Sequence, residues 1–355
     1  MTTPNLTEFK AIVVDATGTE LTREEEALFK AEKPAGFILF KRNCVSKQQV
    51  KDLVASVREC VGWAELPVLI DQEGGSVARL RAPEWQEYPA AKIFGELAQK
   101  SEAEGLEATR INSYLMALDL ADLGITVNCA PVMDVPAPDC HQFLAGSRTY
   151  SDSPDVVGRM GEAVCRGLLD GAITPVIKHI PGHGRARVDS HFALPMTDAD
   201  LTELSKTDFK PFKYLSQTDM KTAVWAMAAH VVFSSLDPDS AASVSAKVVK
   251  DVIREAIGFT GVLLADDVSM KALGGTLQSR IEDTMAAGMD LTMLCNASFD
   301  DRKLALSVTP KVTGVAAKRI EAAEEQRTQS LKNGNDNRQE LQQKLEHMIE
   351  KRSVG

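Results

Sequence analysis

The chain has 355 residues, 44% of them hydrophobic, with 50 acidic against 40 basic side chains and a formal net charge of -10. That length accommodates one α/β barrel plus a tail, and the acidic balance argues against holding a nucleic-acid backbone, which needs a concentrated cationic face. No run of eighteen apolar residues is present to cross a bilayer, and Met1-Thr2-Thr3-Pro4-Asn5-Leu6 has neither the basic region nor the apolar stretch of a secretory signal. The expected location is therefore cytoplasmic, with neither nucleic acid nor membrane as a partner. Cys44, Cys60, Cys129, Cys140, Cys165 and Cys295 are scattered without C-x-x-C spacing, so neither a zinc knuckle nor a disulfide framework is expected, and most should be small buried hydrophobes.

Short apolar, β-rich runs recur at residues 11–14, 36–40, 67–70, 125–132, 173–177, 223–228, 261–264 and 290–294, with helix-like segments between them. Within residues 47–60, Val50, Leu53, Val54 and Val57 share one helical face, and residues 102–123 and 154–169 behave similarly. Buried strands alternating with amphipathic helices are the pattern of parallel βα units. Eight such units predict a single closed (β/α)8 TIM-type barrel over residues 1–309; an open doubly wound sheet is the rival architecture. From 310 to 355 the composition turns to Lys, Glu, Gln, Arg and Ala, with a polar break at residues 333–337 and a last helical run at 338–351. This predicts a charged helical tail packed on the barrel. A dimerising coiled coil is the weaker reading, because heptads are not sustained, and the expected assembly is a monomer or weak dimer.

In a barrel the C-terminal ends of the strands face one mouth. The third run ends in Asp71-Gln72-Glu73-Gly74-Gly75, and the fourth near Asp134, with Arg148 following in Gly146-Ser147-Arg148-Thr149. The fifth ends at Lys178 and His179, then passes through Pro181, Gly182, His183 and Gly184 to Asp189-Ser190-His191; those glycines leave room for the loop to bend over the mouth. The sixth ends at His230 and the seventh at Asp266-Asp267. Asp134 is equally compatible with a turn cap, His230 with a satisfied core histidine and Arg148 with a local ion pair. The two adjacent acids after Ala265 are harder to read as structural, because burying charge is costly without a partner or purpose. Strand alternation points only one of them squarely at the mouth, and it does not say which.

Together, Ile70-Asp71-Gln72-Glu73-Gly74-Gly75, Ala130-Pro131-Val132-Met133-Asp134-Val135, Lys178-His179-Ile180-Pro181-Gly182-His183-Gly184, Asp189-Ser190-His191 and Ala265-Asp266-Asp267-Val268-Ser269-Met270 resemble the motifs of family 3 glycoside hydrolases of the NagZ type. The resemblance implies a retaining β-N-acetylglucosaminidase of bacterial cell-wall recycling, built on a single barrel and acting on a carbohydrate substrate. It places Asp266 as nucleophile, His191 as acid/base and Asp189 as the partner of that histidine. Asp71, Arg79, Arg148, Lys178 and His179 match positions that hold the sugar hydroxyls and the N-acetyl group, while Asp267 and His183 look like supports. Two positions depart from the pattern: Ser76 stands where relatives often carry arginine, and Ile180 where they carry phenylalanine.

Retention needs a carboxylate to form a glycosyl ester and a proton donor at the leaving oxygen. A histidine with an ordinary pKa of about 6.5 can give and retake that proton near neutrality, and Asp189 would orient it and favour its charged form. No cofactor or metal is called for. A metal-dependent barrel hydrolase using His179, His183, His191 and Asp266 is the competing reading, but it leaves Lys178 beside a cation with no task. A silent sugar-binding protein would need neither nucleophile nor proton shuttle.

Overall fold

The apolar runs become strands because both faces of a parallel barrel strand are covered, so a run without alternation is what such a position demands. The computed structural model describes residues 4–142, 146–186, 194–270, 273–330 and 337–353. Its strands β1 (Lys10–Val14), β2 (Pro34–Leu39), β3 (Val68–Ile70), β4 (Val127–Asn128), β5 (Thr174–Ile180), β6 (Trp225–Ala228), β7 (Leu263–Asp267) and β8 (Leu291–Leu294) run parallel, each beside its neighbour in sequence. The pairing of β1 with β8 closes the barrel. The architecture is the expected (β/α)8 fold. No helix among the described residues is long and apolar enough to cross a membrane.

The crossovers carry α1 (Arg23–Glu32), α2 (Lys47–Val61), α3 (Ala91–Lys100), α4 (Glu102–Asp122), α5 (Pro154–Asp170), α6 (Leu201–Lys206), α7 (Lys210–Ser216), α8 (Leu277–Ala286) and α9 (Phe299–Val308), with a π-helical segment Val248–Ala256 before β7. In α2 the four residues expected on one face are all buried; Ser46 caps the first turn by accepting from the Gln49 N–H, and Gly62 ends the helix in the left-handed conformation. Cys44, Cys129, Cys165 and Cys295 are buried free thiols, and Cys60 and Cys140 are half-buried.

Two strands differ from their sequence patterns for identifiable reasons. The run 125–132 contributes only two regular ladder residues, because Pro131 has no N–H to donate; beyond it the chain pairs irregularly, with the Met133 N–H reaching the Lys178 carbonyl. Conversely, β5 continues past its apolar run through Lys178 and His179 to Ile180, since tertiary partners satisfy those polar side chains. A small parallel sheet of Met196–Thr197 with Val232–Phe233 gave no signal in the sequence.

After β8, helices α10 (Gly314–Ser330) and α11 (Arg338–Ser353) lie against the barrel's helical layer. The first buries Ala316, Ala317, Ile320 and Ala323; the second buries Leu345 and Met348 and contacts α3 and α4.

The seam where β1 meets β8 is held by charge. Arg302 on α9 is fully buried and bonds Asp15, just past β1, at 2.7 Å and Glu25 on α1 at 3.1 Å. The second Asp15 oxygen accepts from Arg42 at 2.5 Å and from the Asn296 N–H, just past β8, at 2.6 Å. Removing one member of such a network strands the others in a low dielectric. Arg302→Ala is expected to cost roughly 3–5 kcal/mol of unfolding free energy in urea denaturation; a loss below about 1 kcal/mol would show that the seam behaves like an exposed pair.

Candidate active site

At the C-terminal ends of the strands lies a cavity of about 360 Å³, the usual place for a ligand in this architecture. One wall is a chain of alternating charges. Asp71, just past β3, accepts from Arg79 at 3.0 Å and from Lys178 on β5 at 2.9 Å. Lys178 also meets Glu73 at 2.6 Å, and Glu73 forms a two-pronged pair with Arg148 at 2.8 and 2.7 Å. Burial alone would raise both carboxyl pKa values; Lys178 with Arg79 outweighs it at Asp71, held well below the carboxylate range, and Arg148 with Lys178 outweighs it at Glu73, held at about 2. In turn, burial works against the Lys178 cation, but Asp71 and Glu73 prevail and push its pKa up. Asp71, Glu73, Lys178 and Arg148 are therefore charged at neutral pH, and with the Arg79 guanidinium they present a fixed array of donors and acceptors.

Neighbouring strand residues normally face opposite ways, yet both Lys178 and His179 line the cavity. The β5–β6 register shifts between Lys178 and Ile180, and such a bulge re-aims side chains. The buried Asp134 carboxylate receives the His179 ring Nδ1–H at 2.7 Å and the backbone N–H groups of His179 and His183 at 3.2 and 2.7 Å. It thus fixes the His179 ring and leaves the other nitrogen for the cavity. His183 stacks obliquely on His179 with ring centroids 5.4 Å apart; burial first, then His179, pushes its pKa down to about 4, so it is neutral at pH 7.

The opposite wall is β7. One oxygen of Asp266 accepts the Asp267 N–H at 2.8 Å, and the other has no hydrogen-bond partner among the described residues. Burial raises its pKa, but His230, His179, the Asp267 N–H and Lys178 together hold it below the ordinary value, so it is ionised. The Asp267 carboxylate is occupied instead with Ser269 and the Cys295 N–H, and burial lifts its pKa to about 6. The alternation left open by the sequence is decided by these partners. His230 donates from Nε2 to the Asp267 carbonyl at 3.1 Å and so accepts the Ser243 hydroxyl at Nδ1, 2.6 Å away. Met227, Met270, Met293 and Phe40 supply an apolar surface between the polar walls.

Of the residues singled out from the sequence, Asp71, Arg79, Arg148, Lys178, His179 and Asp266 surround this one cavity. Asp189 and His191 lie outside the described residues. The stretch before them is not a free hinge: a Cβ on Gly184 would stand 1.8 Å from the Val135 carbonyl and one on Gly182 2.8 Å from Asp208, so these glycines permit close packing. Glu73 was quoted in its motif but given no task, although its place two residues after Asp71 puts it on the same face. Ser76 sits at the rim near Ser147, and Ile180 is fully buried.

The model of the glycosyl hydrolase family 3 N-terminal domain matches residues 5–349. The chain belongs to glycosyl hydrolase family 3. It is a glycoside hydrolase, similar to the beta-hexosaminidase of Nitrosomonas eutropha, with 30% identity over 320 residues and 89% of each chain covered. The beta-hexosaminidase of Actinobacillus pleuropneumoniae serotype 3 is 35% identical over 288 residues, covering 80% of this chain and 81% of its own. Among solved structures, NagZ from Neisseria gonorrhoeae in complex with N-trifluoroacetyl-D-glucosamine superposes with a TM-score of 0.84 at 28% identity, covering 96% of this chain and 98% of that one.

The charged wall of this family 3 hydrolase makes its acid sensitivity predictable. Because the Asp71 and Glu73 pKa values are depressed, the stabilisation they bring is complete above about pH 4.5, the ordinary glutamate value, and for Glu73 is lost as pH falls through about 2. Lys178→Ala removes the cation they share, so their pKa values rise, and that of Asp266 with them. The acid limb of kcat/KM is expected to move to higher pH, and the loss of unfolding free energy between pH 4.5 and 2 to become shallower. Superimposable pH profiles of variant and parent would contradict this electrostatic account.

Proposed function

We propose that the protein is a retaining exo-β-N-acetylglucosaminidase that releases terminal N-acetyl-β-glucosamine through a covalent glycosyl-enzyme, with cytoplasmic muropeptide fragments of cell-wall recycling as its substrates. The observation that carries this reading is the ionised Asp266 carboxylate, with one oxygen without a hydrogen-bond partner among the described residues, in a cavity that the Asp71–Lys178–Glu73–Arg148 array also lines. The β-hexosaminidase and NagZ names of the relatives point to the same sugar.

In this mechanism Asp71, Arg79, Arg148, Lys178 and His179 bind the hydroxyls and the acetamido group, and their fixed charges avoid reorganisation during reaction. Asp266 attacks the anomeric carbon and forms an ester as the glycosidic bond breaks. His191, oriented by Asp189, gives its proton to the departing oxygen, then takes one from the water that attacks the same carbon, so the sugar leaves with its configuration retained. Asp267 holds the main chain around the nucleophile, and neutral His183 supports the His179 ring.

The protein is expected to hydrolyse an aryl N-acetyl-β-glucosaminide and to leave an aryl β-glucoside nearly untouched. Asp266→Asn should nearly abolish turnover with sugar binding retained, and mass spectrometry of a trapped glycosyl-enzyme should place the ester on Asp266. His191→Ala should lower kcat by about 10²–10⁴. Near-normal turnover in Asp266→Asn would remove the nucleophile assignment, whereas a glucoside preference would change the substrate and leave the mechanism.

A further inference from the structure

The segment that supplies Asp71, Glu73 and Arg79 is tied, through a short run of contacts, to the last helix of the chain. Residues 73–77 form a tight turn, with the Glu73 and Gly74 N–H groups both donating to the Val77 carbonyl. The turn is held from outside by the Gly75 N–H, which donates to the Tyr88 carbonyl at 2.8 Å. There is no slack in that contact: a Cβ on Gly74 would stand 2.3 Å from the Pro89 carbonyl, and one on Gly75 2.5 Å from the Ala90 side chain. The position of residues 86–90 therefore sets the position of the turn.

Residues 86–90 are in turn held by α11. The buried Tyr88 hydroxyl donates to one oxygen of Asp119 on α4 at 2.5 Å, and Arg338, the first residue of α11, donates to the other at 2.6 Å. One turn further on, Gln342 accepts from the Gln86 amide at 2.9 Å. Leu345 and Met348 anchor the helix in the core, and Lys344 pairs with Glu107 on α4. An exposed ion pair by itself is worth little. Here two donors converge on one carboxylate and a third hydrogen bond runs parallel to them, so the helix braces a defined segment.

We infer that α11 is a positioning element for the substrate site: through Arg338, Asp119 and Tyr88 it fixes the turn that aims Glu73 and Arg79 into the cavity. Because Asp266 stands on the far wall, the brace acts on sugar binding and leaves the bond-breaking step alone. This rests on the reading of Asp71 and Arg79 as sugar-holding groups, with Glu73 holding the sugar-binding Lys178 and Arg148 in place.

The test uses the full chain with Tyr88→Phe, Arg338→Ala, their combination and Arg338→Lys. Two quantities are read: KM and kcat on an aryl N-acetyl-β-glucosaminide, and hydrogen exchange of the peptide covering residues 73–81. Each single variant is expected to raise KM by about two- to tenfold, the range of one hydrogen bond, with kcat within about twofold of the parent. Exchange of residues 73–81 should quicken by a similar factor. The double variant should resemble the worse single one, since both act through Asp119, and Arg338→Lys should recover most of the effect. A lower melting temperature with unchanged KM and unchanged exchange in all the variants would overturn the inference and leave α11 a stabilising helix only. If the parent fails to cleave the substrate, the functional reading falls, and the exchange measurement alone still decides whether α11 holds the turn.

Discussion

Lys178 stands almost fully buried between two carboxylates, and much of the architecture follows from keeping it there. A lone ammonium in that position would lose most of its hydration and shed its proton. Asp71 at the end of β3 and Glu73 two residues later prevent this, and each needs a further cation of its own, Arg79 for the first and Arg148 for the second. The result is a five-membered chain of charges whose members come from β3, its following loop, β5 and the segment after β4. The direct parallel pairing of β3 with β4 and of β4 with β5 brings those strand ends within hydrogen-bond distance of one another, and burial strengthens the attraction among them.

The same electrostatics separates the two acids of β7. Burial acts to raise the pKa of both Asp266 and Asp267, but His230, His179 and Lys178 outweigh it at Asp266, while at Asp267, held by Ser269 and the Cys295 N–H beside a charged neighbour, it prevails. One carboxylate is therefore kept as an open anion, while the other stays protonated up to about pH 6 and serves as a structural clasp. Burial likewise pushes the pKa values of His183 and His230 down.

Around this centre, stability and site geometry are joined by a few long-range ties. Arg302 fastens the ends of β1 and β8 by way of Asp15, whose second oxygen also holds the Asn296 N–H at the rim of the cavity. On the opposite flank, Arg338 and Tyr88 share Asp119. Each tie spans distant parts of the chain; the first reaches Asn296 in the cavity lining, and the second reaches the turn beside Glu73 through the Tyr88 carbonyl and the Gly75 N–H.

The barrel strands were legible in the sequence because their burial on both faces leaves uninterrupted apolar runs, and the helix of residues 47–61 because its four inward residues recur at helical spacing. The charges at the strand ends were legible as a set, since closure of the barrel gives them one destination. What the chain order could not display is partnership. Nothing near Glu73 in sequence names Arg148 or Lys178 as its counterions, and Asp134 reads as a turn cap until the three hydrogen bonds from His179 and His183 are in view. The choice between Asp266 and Asp267 was likewise hidden, because strand alternation has no reference face when both faces are buried; it was made by Ser269 and Cys295, which occupy the second acid and leave the first free. The sequence by itself thus determined the fold class and the chemical types gathered at the mouth, through periodicity and local position. Tertiary structure alone decided which charges pair, which histidines remain neutral and which acid is open, because those depend on distances and burial between residues far apart in the chain.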